Sequence, residues 1–294
     1  MSLRVLVTGA DGFTGRHLVE YLKGDAACEL FCSTKSAGND MDCDLRDPQA
    51  VSVLLEKTKP DQIYHLAGSF SQDYETDYAR NVLSTRNILE AALKLGLDAR
   101  ILLVGSAAEY GAIGPRDNPV KESQPLNPVS VYGLTKVYQT YLMNYYFANY
   151  EMNIVMARTF NLLGSGISPA LFVGKLLEQI AAFTKGEQPL IELGNLDHYR
   201  DYIAVDAAVK DYARIMNYGS AGTVYHVASG KPIQMRDLLK RILEEYPVPA
   251  DKVRENAGRN PGKFNVPSIY ADVSRVEALR ALEASKSPSV PAQA

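Results

Sequence analysis

The sequence has no tryptophan, three cysteines and four histidines in 294 residues. Cys28, Cys32 and Cys43 are odd in number, crowd near the start and lack a paired CxxC spacing. They form neither a disulfide framework nor a zinc-ligand pattern, and they suit a reducing, cytoplasmic compartment. The histidines His17, His65, His198 and His226 are scattered, so no metal site is expected. No apolar run approaches the roughly 18 residues of a membrane span, and no secretory leader is expected before the first strand pattern at Arg4. Excess charge of one sign is also missing: 31 Lys and Arg stand against 34 Asp and Glu, a net of −3. General attraction to nucleic acid or an anionic membrane is therefore not expected.

What is present is ordinary globular composition, with 46% hydrophobic and 22% charged residues, and tyrosine (18) far outnumbering phenylalanine (8). Strand patterns at 4–8, 29–33, 62–66, 101–104 and 154–157 alternate with helix patterns at 16–23, 51–57, 81–94 and 132–150. This rhythm predicts an α/β fold with a Rossmann-type doubly wound parallel sheet, because parallel neighbours need crossover connections. After about residue 160, longer helices at 171–183, 205–217 and 235–245 alternate with Gly-, Pro- and Asn-rich loops. We expect one domain over 1–160, also taking elements near 201–217, a smaller mixed α/β domain over 161–283, and a frayed tail over 284–294.

The first chemical signal is Thr8-Gly9-Ala10-Asp11-Gly12-Phe13-Thr14-Gly15, between the first strand and first helix. Gly9 allows the tight turn, Gly12 lets the backbone approach a pyrophosphate, and Gly15 permits close helix–strand packing. Free N–H groups at the helix start then face the phosphates. The second strand ends in Ser33-Thr34-Lys35, two hydroxyls and a cation where a carboxylate would favour NAD. NADP is thus preferred, with NAD the alternative and a solvated Lys35 the plain reading. Asp44-Leu45, after an expected short strand, puts a carboxylate near the adenine amino group.

The second signal is Tyr132-Gly133-Leu134-Thr135-Lys136. At i and i+4 on a helix, Lys136 reaches under Tyr132, and its ammonium favours ionisation of the phenol. Tyr132 can then exchange a proton with a carbinol oxygen while hydride moves at a nicotinamide. The strand at 101–104 runs through Gly105 into Ser106, whose hydroxyl can orient a substrate carbonyl.

TGADGFTG, His65-Leu66-Ala67-Gly68, Gly105-Ser106-Ala107-Ala108-Glu109-Tyr110-Gly111 and YGLTK together resemble the extended short-chain dehydrogenase/reductases, the NAD-dependent epimerase/dehydratase family. Arg158-Thr159-Phe160-Asn161 resembles its substrate-phosphate turn. Gly194-Asn195-Leu196-Asp197 and Arg200-Asp201-Tyr202 resemble the branch of GDP-mannose 4,6-dehydratases and GDP-4-keto-6-deoxy-D-mannose reductases. The resemblance covers roughly residues 3–275. It implies Ser106, Tyr132 and Lys136 as the catalytic group, and Asn161 and Arg200 as ligands of a nucleotide diphosphate. To the cofactor are assigned Gly9, Asp11, Gly12, Phe13, Thr14, Gly15, Ser33, Thr34, Lys35, Asp44, Leu45, Leu66, Ala67 and Gly68, with Tyr132 and Lys136 at the nicotinamide.

Two departures refine this. The glutamate of the 4,6-dehydratases falls at Ala108 and the aspartate some of them carry at Ala107, while Glu109 is one residue late and points elsewhere. That favours ketone reduction over dehydration. The branch's Arg-Pro-x-Glu-Val run is replaced by residues 258–267, where Arg259 or Lys263 takes the arginine's place, and the family's closing Gly-Trp segment is absent. The expected activity is NADPH-dependent reduction of GDP-4-keto-6-deoxy-D-mannose to GDP-D-rhamnose. A nucleotide-sugar 4-epimerase and a non-catalytic NADP-binding regulator are the alternatives.

Among the remaining residues, His65 is expected to be structural, Asn81 either a bridge across the site or a helix cap, and Arg158 a carboxylate partner or a ligand. Lys175 faces the nucleotide base or solvent. Tyr138, Tyr141, Tyr145 and Tyr146 pack the helix or form the interface of a homodimer.

Overall fold

The computed structural model describes residues 2–24, 26–34, 41–256 and 266–286. Its first half comprises β1 (Leu3–Thr8), α1 (Phe13–Leu22), β2 (Cys28–Ser33), α2 (Pro48–Thr58), β3 (Gln62–His65), α3 (Tyr74–Asp77), a π-helical turn (Tyr78–Leu83), α4 (Ser84–Lys94), β4 (Arg100–Ser106), α5 (Val131–Tyr150) and β5 (Ile154–Thr159). The second half comprises β6 (Asn161–Leu163), α6 (Phe172–Thr184), β7 (Ile191–Leu193), β8 (Tyr199–Ala204), α7 (Val205–Tyr218), β9 (Val224–Val227), β10 (Pro232–Gln234), α8 (Met235–Leu243), β11 (Val253–Glu255), β12 (Ser268–Ile269) and α9 (Ser274–Lys286).

Six strands pair in parallel in the order β2-β1-β3-β4-β5-β9. Successive side chains of a strand point to opposite faces, and the core shows it. Val5, Val7, Leu102, Val155 and Ala157 pack with Leu18 of α1 and Val209 and Ile215 of α7. Leu6, Ile101, Leu103, Ile154 and Met156 pack with Leu55 of α2, Leu89 of α4 and Met143 of α5. Burial on both faces explains why these strands are apolar throughout. The expected α/β architecture is present. The four-residue strand β9, which the sequence patterns did not indicate, returns from the second half to the sheet edge. Among the described residues before Asp44, 41–43 form no strand; Cys43 N donates to Thr34 O at 3.2 Å.

The smaller region holds a mixed sheet, with β8 antiparallel to β10 and parallel to β12 and β6. Beside it, β7 and β11 pair, and α6 and α8 cover an apolar cluster around Leu176, Ile191 and Leu238. Among the described residues, no helix is long and apolar enough to cross a membrane.

Candidate active site

β1 pairs β2 on one side and β3 on the other, so the chain order reverses at β1. Ligands of open α/β sheets bind outside the carboxyl ends of the strands at such a switch point. There the glycine loop leaves β1. Gly9 has φ +69°, and a Cβ on it would lie 2.8 Å from the backbone of Ala67. A Cβ on Gly15 would lie 2.1 Å from Gly9 O, so only glycine lets α1 close against the loop. Gly12 caps α1 without a side-chain bond, leaving the first helical N–H groups for an anion. This cradle fits the diphosphate of a dinucleotide.

A cavity of about 580 Å³ opens over this edge, with Gly9, Gly12, Phe13, Thr14, Gly15, Leu66 and Gly68 in its wall. A smaller one, about 200 Å³, adjoins it and is bordered by Asp11, Ser33, Thr34, Asp44, Leu45 and Ala67. Its dimensions and neighbours suit an adenosine. Lys35, assigned with Ser33 and Thr34, lies outside the described residues. Arg46 and Arg80 also border this cavity. Arg46 forms an ion pair with Asp44 at 2.5 Å.

Ser106, the last residue of β4, Tyr132 and Lys136 share the wall of the larger cavity. The α5 helix begins where the Ser130 hydroxyl accepts from Gly133 N at 3.0 Å, which sets the phase that turns Tyr132 and Lys136 inward. Lys136 is 6% exposed, and its ammonium donates to Val104 O at 2.9 Å. It lies 5.7 Å from the centre of the Tyr132 ring. Burial pushes Lys136 down to about 8, against the charges of Glu109 and Asp77, so it is still mostly protonated at neutral pH. Burial pushes the Tyr132 phenol up to about 12, while a hydrogen bond with Ser106 pulls the other way. A phenol of that kind is a proton donor at neutral pH.

The neighbouring residues fall into place around this group. Asn81 sits inside the π-helical turn and is no cap: its side chain takes Ser69 N at 2.7 Å and donates to Ser69 O and Thr135 Oγ1. It bridges the loop after β3 to α5. That loop carries Phe70, whose ring meets Tyr132 edge-on at 4.8 Å. His65 is buried between Thr8 Oγ1 (2.8 Å) and Thr85 Oγ1 (3.0 Å), a structural role. Arg158 is buried in an ion pair with Glu109 at 2.8 Å and is absent from the cavity wall. Ala107 and Ala108 do face the cavity, whereas Glu109 is 0% exposed beneath it. Among the described residues the wall of the larger cavity holds no carboxylate.

On the opposite wall are Asn161, whose amide donates to Asp201 O at 3.0 Å, and Arg200, bonded to Tyr199 O at 2.8 Å. Lys175 is exposed on α6 and does not reach the cavity, because Val173, Leu176 and Ile180 turn the other face of that helix inward. Arg259 lies outside the described residues. Phe70, Arg46, Arg80 and Tyr212, the last bonded to Thr159 at 2.8 Å, also border the cavities and were not indicated by motif. For Phe70 the one local signal is its place just past a strand end. Arg46 and Arg80 adjoin Asp44-Leu45 and Asn81 without a motif of their own, and Tyr212 arrives from α7, distant in sequence.

A family model described as the NAD dependent epimerase/dehydratase family matches residues 5–228. A GDP-6-deoxy-D-mannose reductase of Pseudomonas aeruginosa is 29% identical over 263 residues, 87% of this chain and 84% of that protein. A GDP-6-deoxy-D-talose 4-dehydrogenase of Aggregatibacter actinomycetemcomitans is 34% identical over 69% of this chain and 67% of that protein. Of solved structures, RMD from Pseudomonas aeruginosa complexed with NADPH matches with TM-score 0.83 at 25% identity, over 96% of this chain and 92% of that one. The UDP-glucose 4-epimerase of Thermus thermophilus in complex with NAD shares the fold, with TM-score 0.81 at 23% identity over 98% and 94% of the two chains. With a family model spanning most of its length over a sheet and glycine cradle of the matching kind, the chain belongs to the NAD dependent epimerase/dehydratase family.

Proposed function

We propose that the protein is an NADPH-dependent oxidoreductase that reduces the 4-keto group of a GDP-linked 4-keto-6-deoxyhexose, converting GDP-4-keto-6-deoxy-D-mannose to GDP-D-rhamnose. One observation carries the reading: Ser106, Tyr132 and Lys136 face a cavity whose described wall has no carboxylate. Such a wall can donate a proton to a carbonyl oxygen but has no side-chain carboxylate to drive elimination of water.

When bound, the dinucleotide supplies the hydride. Ser106 orients the sugar C4 carbonyl by donating to its oxygen. Tyr132 gives that oxygen its proton, and the Lys136 ammonium beneath the ring stabilises the phenolate left behind. Phe70 packs edge-on against the Tyr132 ring and limits water there. Arg200 and Asn161 face the same space and suit a diphosphate, Arg200 as a forked cation and Asn161 as an amide donor. The similarity to an NADPH-bound structure supports NADP; the Thr34 hydroxyl beside the smaller cavity donates to Asp42 at 2.8 Å and adds no support. Guanosine diphosphate is supported by the names of two relatives. A cytoplasmic homodimer is part of the proposal, supported by the exposure of Tyr141 (58%) and Tyr145 (52%) on α5.

The test is to mix the protein, NADPH and GDP-4-keto-6-deoxy-D-mannose and follow the absorbance of the reduced nicotinamide. Stoichiometric loss is expected. No loss with this ketone refutes the substrate, and product formed without net cofactor turnover favours the 4-epimerase. A Tyr132→Phe variant that keeps full cellular function would point instead to a non-catalytic NADP-binding regulator.

A further inference from the structure

Glu109 stands one residue beyond the position where a dehydratase carboxylate would act, and both of its oxygens are held. It is 0% exposed. One oxygen, Oε1, accepts the backbone N–H of Ser106 at 2.7 Å. The other, Oε2, accepts the Thr140 hydroxyl at 2.6 Å and Arg158 Nη2 at 2.8 Å. A Cβ on Gly105 would lie 2.6 Å from Oε1, so the carboxylate is seated directly against the strand.

These partners belong to the two elements that carry the reacting group, β4 and α5, and to the neighbouring strand β5. Ser106 ends β4, and its own hydroxyl accepts from Ala108 N in a reciprocal cap with Glu109. Thr140 is on α5, and residues 132, 136 and 140 follow at i, i+4 and i+8 along one helix face. Arg158 is on β5, the strand paired with β4, and its second nitrogen donates to the Tyr110 hydroxyl at 2.8 Å. One carboxylate therefore fixes the serine backbone relative to the helix that carries Tyr132 and Lys136.

We propose that Glu109 is a positioning residue: its buried carboxylate locks Ser106 to α5 and β5, so that the serine hydroxyl and the Tyr132 phenol converge on the same carbonyl oxygen. Misplacing a reacting group by about an ångström costs on the order of a hundredfold in rate, so such a lock has kinetic weight. Its charge acts as well. Glu109 and Asp77 of α3 both favour the protonated forms of Tyr132 and Lys136. His65 of β3 also lies near Lys136 and is kept neutral there, while Arg158 of β5 balances Glu109. The inference rests on Ser106, Tyr132 and Lys136 being the reacting group and is independent of which sugar is bound.

The variant is Glu109→Gln, which keeps the length and the bond to Ser106 N but turns an amide N–H₂ toward the Thr140 hydroxyl or Arg158. Its fold is checked by NADP⁺ affinity, expected within about threefold of wild type because the glycine cradle is untouched. Ultraviolet difference titration of the NADP⁺ complex, with Tyr132→Phe subtracted, isolates Tyr132 without any sugar. Removing the negative charge should lower its midpoint by about one pH unit, a tenfold change in the ionised ratio. With the ketone substrate, kcat should fall at least about tenfold with KM little changed. A folded Glu109→Gln protein that titrates like wild type overturns the proposal. If wild type does not turn over the ketone, the functional reading fails, and the titration still decides on Glu109. If Glu109→Gln does not fold, the near-isosteric Thr140→Val removes one of the three bonds. A kcat lowered about threefold or more at unchanged KM supports the lock, and a wild-type kcat overturns it.

Discussion

The two walls of the larger cavity are made of different material. The wall with the glycine loop, Ser106, Tyr132 and Lys136 is built from strand ends of a six-stranded sheet packed on both faces and from α5, which covers one of those faces. The facing wall, with Asn161 and Arg200, rests on three-residue β6, six-residue β8 and two-residue β12, beside the start of α6. Groups that move protons need placement to a fraction of an ångström, which a packed sheet supplies. Groups that grip a diphosphate act through charge and tolerate a softer support. The sheet side should therefore govern rate, and the facing side affinity.

The largest expected effect strikes the sheet side. Tyr132→Phe removes the proton donor and leaves the cavity wall in place, so kcat should fall by about 10²–10⁴ with NADPH affinity nearly unchanged. Steady-state kinetics and a cofactor titration measure both. A kcat within a few-fold of wild type breaks the comparison at its stronger end. On the facing side, Arg200→Met removes the charged fork proposed to hold the diphosphate, so KM should rise about 10- to 100-fold while kcat stays within about threefold. A fall in kcat alone would mean that Arg200 takes part in the chemistry and that the two walls do not divide the work.

How much of this was legible depended on distance along the chain. The glycine loop and the Tyr132–Lys136 pair are local patterns of turn and helix geometry, and the structure brings them to one edge with Ser106. In sequence Lys175 is open between the nucleotide base and solvent, and the buried apolar positions 173, 176 and 180 decide for solvent. Glu109 could be read as pointing away, but not toward what, since its partners Thr140 and Arg158 lie 31 and 49 residues off. Asn81 was ambiguous because a π-helical turn changes the phase of the helix without a distinct sequence mark. Among the described residues just before Asp44, 41–43, no strand is formed.

The smallest effect belongs to the sheet side, whose strands β3 and β9 carry both histidines concerned. His65 behind the glycine loop and His226 of β9, bonded to Tyr110 and Asp272 O, are both buried, and burial pushes them down to about 3 and about 4. Above pH ~6.5 both are neutral folded and unfolded, and they add no pH dependence. As pH falls below that value the unfolded chain takes up protons that the folded chain refuses. Stability should drop by about 1.4 kcal/mol per pH unit for each histidine until the folded values are approached. Urea midpoints between neutral pH and about pH 4.5 measure it, and His226→Gln should remove about half of the histidine contribution to the slope. An unaltered slope would mean that His226 is not held neutral.

The most direct measurement follows the hydride. The protein is given GDP-4-keto-6-deoxy-D-mannose and NADPH deuterated on the transferred side of nicotinamide C4, and the sugar product is read by NMR. One deuterium at sugar C4 for each NADPH oxidised is the result the proposed 4-keto reduction predicts. Product with no deuterium at C4 would contradict it.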